Sequence, residues 1–444
     1  MNDTDEAWKL LTEAEAVRDG SGWIAYTFAT APLDPLAVLE TLAEPAPRGY
    51  FENPSRQRAH AAGKPVIEWQ GRGPRRFHAA DQWLVKIKAQ ISSVGGSPRI
   101  IATFPFYPGD DKSGMDAKLF LPAWQVVTEN DVTLVTLAEP ASAGCAKRLM
   151  GRAEQFRKFT YRSDPPASRA PIPTVLSEVG GTWFPAAVQR ATELIKQGAF
   201  EKIVLSRAFV WRRNEAFSTY ATLHRLRRAN SSCHTFLVDE PDGVLIGSTP
   251  ETLLSVFDGE VRTESVAGTT RRGESASEDA SLAEALLTSD KDIREHNAVT
   301  ASILRRLRMV GVVAATTRNQ ELLRLGNVMH LRSPIVGRMP ADRRFLEVAG
   351  ELHPTPAVGG KPRELALPHI PGFEPHDRGL YTGAVGWVNL DGMTGKLFVA
   401  LRCARLRGSE ARAFAGAGIV AGSDPEAESR ETEMKLRTIL EALI

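Results

Sequence analysis

The strand-like segments of this chain do not alternate with helices in a strict βαβ rhythm, and that order constrains the fold more than any other feature. A parallel sheet needs a crossover, usually a helix, between successive strands. Here Lys202–Val210, Gly243–Gly247, Leu397–Leu406 and Ala413–Val420 read as strands without such regular spacing. Val188, Ala191 and Ile195 recur at helical spacing, with Gly198 as the stop. A helical stretch begins near Ser275 and runs to about Arg308 with a break. A last helix opens at Ser423-Asp424-Pro425-Glu426, which supplies a cap, an early proline and acidic first-turn residues. Before these segments, Ile100–Phe106 and Val132–Leu137 read as strands among long loops. The pattern predicts an α+β fold of mostly antiparallel sheet with helices packed outside. The stretch Ser163–Pro173 is rich in residues that resist regular structure, and reads equally as a domain seam or a surface loop.

Composition excludes several classes of partner. A formal net charge of +2 gives no bulk field for nucleic acid or a membrane surface. Small anions stay open, because they need only a local cluster of positive groups. Cys145, Cys233 and Cys403 form no close pair, which argues against a disulfide framework or zinc knuckle and fits a reducing cytoplasm. The N-terminus is acidic where a signal peptide would be basic, and no run of about 18 apolar residues occurs. A soluble, cytoplasmic protein is expected.

The last helix carries the most chemistry. On a wheel of about 100° per residue, Glu426, Arg430, Glu433, Arg437 and Glu441 share a solvated face. Glu428, Glu431 and Lys435 fall on the other side, beside the apolar stripe of Leu436, Ile439 and Leu443. Two readings stand: a Glu431–Lys435 pair at i,i+4 spacing, or a divalent-cation site with an anion clamp. Glu295 lies on the same side as Val299 in the earlier helix, placed for an ion pair or a ligand role. Arg402, on a face with Phe398, Ala400 and Ala404, wants a planar anion such as a carboxylate; a salt bridge would also satisfy it. Gly416 and Gly418 let backbone N–H groups approach an anion. Lys202 opens its strand, and either reaches solvent or faces a pocket as a general base. Glu251 follows Gly247-Ser248-Thr249-Pro250. Burial would raise its pKa and make it a general acid; at a helix start it would merely complement the dipole. No G-x-x-x-x-G-K-[ST] occurs, which argues against a nucleotide.

At these same positions the sequence resembles the chorismate-utilising enzymes, the family of isochorismate, salicylate, anthranilate and aminodeoxychorismate synthases. The segments that carry the resemblance run from about Thr182 to Leu443. They are Lys202–Arg207, Gly247–Glu251, Ala267-Gly268-Thr269, Lys291–His296, His330-Leu331, His353-Pro354-Thr355-Pro356, Gly383–Trp387, Phe414–Val420 and Glu428–Lys435. The resemblance implies one integrated α+β domain over 1–444, with two packed, mostly antiparallel sheets and helices outside. Residues 1–174 would form a divergent N-terminal part and 175–444 the chorismate-binding catalytic part, with Ser163–Pro173 a loop. It also implies that Glu295, Glu428 and Glu431 hold magnesium. The metal would grip the ring carboxylate of chorismate with help from Gly268, Thr269 and Lys435. Arg402, Tyr381 and the backbone at Gly416 and Gly418 would receive the enolpyruvyl carboxylate, and His330 would line the ring.

Relatives that add ammonia resemble one another in a glutamine where this chain has Lys202. A lysine there implies water as the nucleophile, activated by Lys202, with Glu251 protonating the departing hydroxyl. The implied activity is an isomerisation of chorismate to isochorismate by transfer of a hydroxyl. The stretch His353–Gly360 resembles isochorismate more than salicylate synthases, which go on to expel pyruvate. A non-catalytic chorismate-binding protein is the other alternative, and would be expected to lack Lys202, Glu251 or a metal carboxylate. Ser333 stands where threonine is usual in the family, and Ser248-Thr249 replaces the commoner Ala-Ser or Ala-Thr. A monomer without an amidotransferase subunit is expected. Menaquinone, a siderophore or salicylate would be the product's destination, with menaquinone favoured on family breadth.

Overall fold

A computed structural model of the chain describes residues 3–43, 46–109, 115–160, 177–316 and 320–444. The seam at Ser163–Pro173 lies outside the described residues. The strands assemble into two sheets, of thirteen and ten strands among the described residues. One pairing there is parallel, between Trp23–Thr30 and Ile91–Val94; the other strand pairings are antiparallel. Tight hairpins account for part of this order. Asp258-Gly259, with φ of 50° and 73°, joins Thr252–Phe257 to Glu260–Arg271, the left-handed pair that a two-residue hairpin demands.

Each sheet draws strands from both ends of the sequence. Gly49–Asn53 hydrogen-bonds to His234–Glu240 in the larger sheet, and Arg99–Phe104 to Ala384–Asn389 in the smaller. Phe51, Phe236 and Phe414 of the larger sheet pack with Val385, Trp387 and Phe398 of the smaller, forming an apolar layer between them. Helices cover the outer faces. Pro425–Leu443 lays Leu436, Ile439 and Leu443 against Trp211, Ala413 and Ala415. Asp290–Met309 lays Val299, Ile303 and Leu307 against Val261 and Ile335. The predicted α+β architecture of two packed, mostly antiparallel sheets with helices outside is borne out. No described helix is long and apolar enough to cross a membrane.

Two expectations need correction. Leu397–Leu406 is not one strand. Gly395–Val399 belongs to the smaller sheet and Cys403–Arg407 to the larger. The chain turns the corner at Arg402, whose φ is +49°. The N-terminal part is also richer than strands among loops: Asp3–Arg18, Pro35–Leu42, Arg76–Lys88 and Cys145–Arg157 are helices. The predicted break in the 275–308 stretch falls at Ser289, where Ala276–Thr288 ends and Asp290–Met309 begins. Ser289 caps the second helix by accepting from Asp292 N at 3.2 Å.

Candidate active site

A cavity of about 80 Å³ opens where the corner at Arg402, the start of the Lys202–Arg212 strand and the helices bearing Glu295 and Glu431 meet. It is built from side chains that the sequence scatters across more than two hundred positions. Lys202 is buried and donates to Glu295 Oε1 at 2.7 Å. It owes its room to the neighbouring strand, where Val204 stands opposite Gly418. A methyl group on Gly418 would lie 2.7 Å from Lys202 Cε, and one on Gly416 would lie 3.1 Å from Tyr381 Oη. These glycines therefore make space for two side chains. The expected approach of their N–H groups to an anion is joined by a different contact: the Gly416 carbonyl accepts from Lys435 Nζ at 3.0 Å.

Arg402 is held buried by the corner it forms. Its Nη2 donates to His330 Nε2 at 3.1 Å, and it has no carboxylate partner among the described residues. Arginine has no acceptor, so Nε2 of His330 carries the lone pair and Nδ1 the proton. Nδ1 then donates toward Thr269 Oγ1 at 3.0 Å and the Gly268 carbonyl at 3.3 Å. Burial first, then Arg402 and Lys435, hold the His330 ring well below its usual pKa, so it is neutral. Gly268, at φ +77°, makes the bulge between Ala267 and Thr269 that aims Thr269 at this ring. Tyr381 stacks on Phe414 with ring centroids 5.0 Å apart. A guanidinium desolvated beside a neutral ring, in an open cavity, is a strong place for a carboxylate.

Glu251 follows the Gly243–Thr249 strand and is buried, 4% exposed. Its backbone N–H donates to Thr249 Oγ1 at 3.2 Å and its carboxylate accepts from Thr355 Oγ1 at 3.4 Å. Burial first and the Glu264 carboxylate second push its pKa up to about 8. At neutral pH it carries a proton. Thr355, Glu264 and Thr382, which lines the cavity at φ +59°, were not among the expected site residues. Only tertiary placement brings them there.

The C-terminal helix presents its faces as the wheel predicts. Glu426, Arg430, Glu433, Arg437 and Glu441 are exposed, Glu428 is buried, and Glu431 and Lys435 are half-buried. Lys435 Nζ donates to Glu431 Oε1 at 2.5 Å. Burial, then Glu431, pushes the Glu428 carboxyl up to about 7. Of the expected site residues, Lys202, Glu251, Gly268, Thr269, Glu295, His330, Tyr381, Arg402, Gly416, Gly418, Glu431 and Lys435 all line the cavity, and Glu428 does not. Among the described residues no three His, Cys, Asp or Glu side chains are gathered closely enough to hold a metal. Glu295 is turned onto Lys202 and Glu431 onto Lys435. The i,i+4 ion pair read as an alternative is thus present in the structure.

Comparison with known proteins places the chain in a family. Residues 9–444 match the family model described as chorismate binding enzyme. The salicylate biosynthesis isochorismate synthase of Pseudomonas aeruginosa is 32% identical, over 98% of this chain and 93% of its own. Isochorismate synthase EntC of Escherichia coli K12 is 38% identical over 58% of this chain and 66% of its own. Among solved structures, MenF, the menaquinone-specific isochorismate synthase of Escherichia coli, superposes with a TM-score of 0.80 at 26% identity, covering 97% of this chain and 100% of that one. The chain belongs to the chorismate-binding enzymes.

Proposed function

We propose that this protein is an isochorismate synthase, an isomerase that adds water to one ring carbon of chorismate and expels the hydroxyl from another. The observation that carries the reading is one small cavity shared by the buried Lys202, the buried carboxyl of Glu251 and an arginine without a carboxylate partner among the described residues. The similar proteins named above bear the same activity in their names. Lys202 Nζ, released by Glu295 and in its neutral form, takes a proton from water as the water oxygen bonds to the ring. Glu251 gives its proton to the leaving hydroxyl, which departs as water. The fork of Arg402, with Tyr381 beside it, receives the enolpyruvyl carboxylate. His330, fixed in one tautomer, lines the ring, and Thr269, Gly268 and Lys435 border the ring carboxylate.

The oxygen chemistry of Glu295, Glu428 and Glu431 suits magnesium, but among the described residues these carboxylates are not gathered into one site, so they would have to converge on the ion. When bound, it supplies positive charge for the ring carboxylate. Two of these carboxylates must first leave their lysine partners. The test of the activity is product analysis: pure protein, chorismate and magnesium should yield isochorismate without pyruvate. Stoichiometric pyruvate and salicylate would reassign the chain as a salicylate synthase; no conversion would leave a binding protein.

The carboxyl at Glu251 adds a pH signature. An acid with a pKa of about 8 is protonated below that pH. We expect kcat/KM to decline as pH rises through about 8. The same shift acts on stability. Relative to an unfolded carboxyl of 4.5, the folded protein gains from this proton below pH 4.5 and loses that gain as pH rises through 8. Glu251→Gln should lower turnover by roughly two to four orders of magnitude and lessen the loss of thermal stability as pH rises from 4.5 to about 8. A folded Glu251→Gln protein with normal turnover would remove Glu251 from the mechanism.

A further inference from the structure

Lys202 and Glu295 line a second cavity as well as the first. This outer cavity measures about 400 Å³, against about 80 Å³ for the inner one. Its floor is apolar, from Val299, Pro356, Val420 and Ala421. Lys291, Arg294, Lys361 and Glu201 border it. Lys361 is paired with Glu201 at 2.6 Å, and Lys202 with Glu295 at 2.7 Å. Lys291 and Arg294 are exposed and have no ion pair among the described residues; Arg294 Nε donates to the Asp290 carbonyl at 3.0 Å. Lys291 still acts on the carboxylates of Glu295 and Glu428, which leaves Arg294 as the rim cation with no carboxylate partner among the described residues, over an apolar floor.

That pairing of features suits a small organic dianion, with a carbon skeleton for the floor and two carboxylates for the cations. The outer cavity offers such a molecule more room than the inner one. The wall common to both cavities is the Lys202–Glu295 ion pair, whose partners come from a strand and a helix with no covalent link nearby. We infer that the outer cavity is a docking subsite for the dianionic substrate, with Arg294 and Lys291 as its positioning residues and the Lys202–Glu295 pair as the partition it passes. This rests on the proposed activity.

Charge reversal at Arg294 tests it, because the side chain is exposed and supports no packing. In Arg294→Glu, KM for chorismate should rise roughly tenfold while kcat stays within about twofold, since the rim charge acts on docking and not on the chemistry. Arg294→Lys should restore KM. The salt dependence of kcat/KM should flatten in Arg294→Gln, as expected when an exposed charge within a Debye length of about 8–10 Å is removed. Magnesium affinity, measured by calorimetry, should be unchanged, which separates docking from damage to Glu295 next door. The subsite is overturned if KM and the salt slope match the wild type, or if kcat and magnesium affinity fall together. Wild-type protein that fails to convert chorismate would instead remove the functional reading, and this inference with it.

Discussion

Lys202→Ala should lower turnover of chorismate by roughly two to four orders of magnitude, the usual worth of a positioned base. The fold should survive. Lys202 sits at the start of its strand, and its ammonium bonds to Glu295 rather than to any strut of the core. A second variant isolates the chemistry from the ion pair. Lys202→Arg keeps a cation for Glu295, but a guanidinium does not give up its proton in a protein. It should be nearly as inactive as Lys202→Ala while retaining wild-type thermal stability. The structure explains why both variants are needed. A lysine whose Nζ is engaged by a carboxylate is not free to accept a proton, so base function requires that Glu295 be drawn elsewhere when substrate binds. Measured kcat for both variants, with circular dichroism as the check on folding, decides the matter. Near-normal turnover in folded Lys202→Arg would mean that Lys202 supplies charge only, and that the base lies elsewhere.

The helical elements of the site were legible because their period is local. The spacing of Glu428, Glu431 and Lys435 against Leu436, Ile439 and Leu443 correctly predicted which face turns inward. The cap at Asp424, accepting from Ala427 N, lay where the sequence placed the helix start. The corner at Arg402 was not legible. Leu397–Leu406 alternates plausibly as one strand, and nothing in its composition announces that Cys403 pairs into a different sheet from Leu397. A non-glycine residue at φ +49° costs of order 1–3 kcal/mol and persists only where surrounding structure demands it. Such strain is a tertiary property. The N-terminal helix is the opposite case: Ala7 and Leu11 stand at helical spacing and are buried, so its inward face is written locally in the sequence. Glu264 and Thr355 were invisible for a third reason. Their bearing on Glu251 runs through space, across gaps of 13 and 104 positions in the chain.

Chelation should abolish activity, and added magnesium should restore it. The physical case lies in how the carboxylates are satisfied without a metal. Glu295 leans on Lys202 and Glu431 on Lys435, while Glu428, buried one helical turn from Glu431, faces like charge. A divalent cation held by these three carboxylates would replace the partial arrangements with stronger charge compensation, and the ring carboxylate of chorismate would share it. Metal and substrate should therefore bind with positive coupling, each raising the affinity for the other by the same factor. Typical coupling of this kind is about 5–150-fold. Glu431→Gln should weaken magnesium binding while changing stability little. Lys435 keeps its bond to the Gly416 carbonyl when this partly buried pair is lost, and the loss also relieves Glu428 of a neighbouring charge. Titrating magnesium by calorimetry with and without chorismate measures the coupling, and a thermal melt of Glu431→Gln measures the stability. Equal magnesium affinity in both titrations would refute the coupling, and full activity in excess chelator would refute the metal site itself.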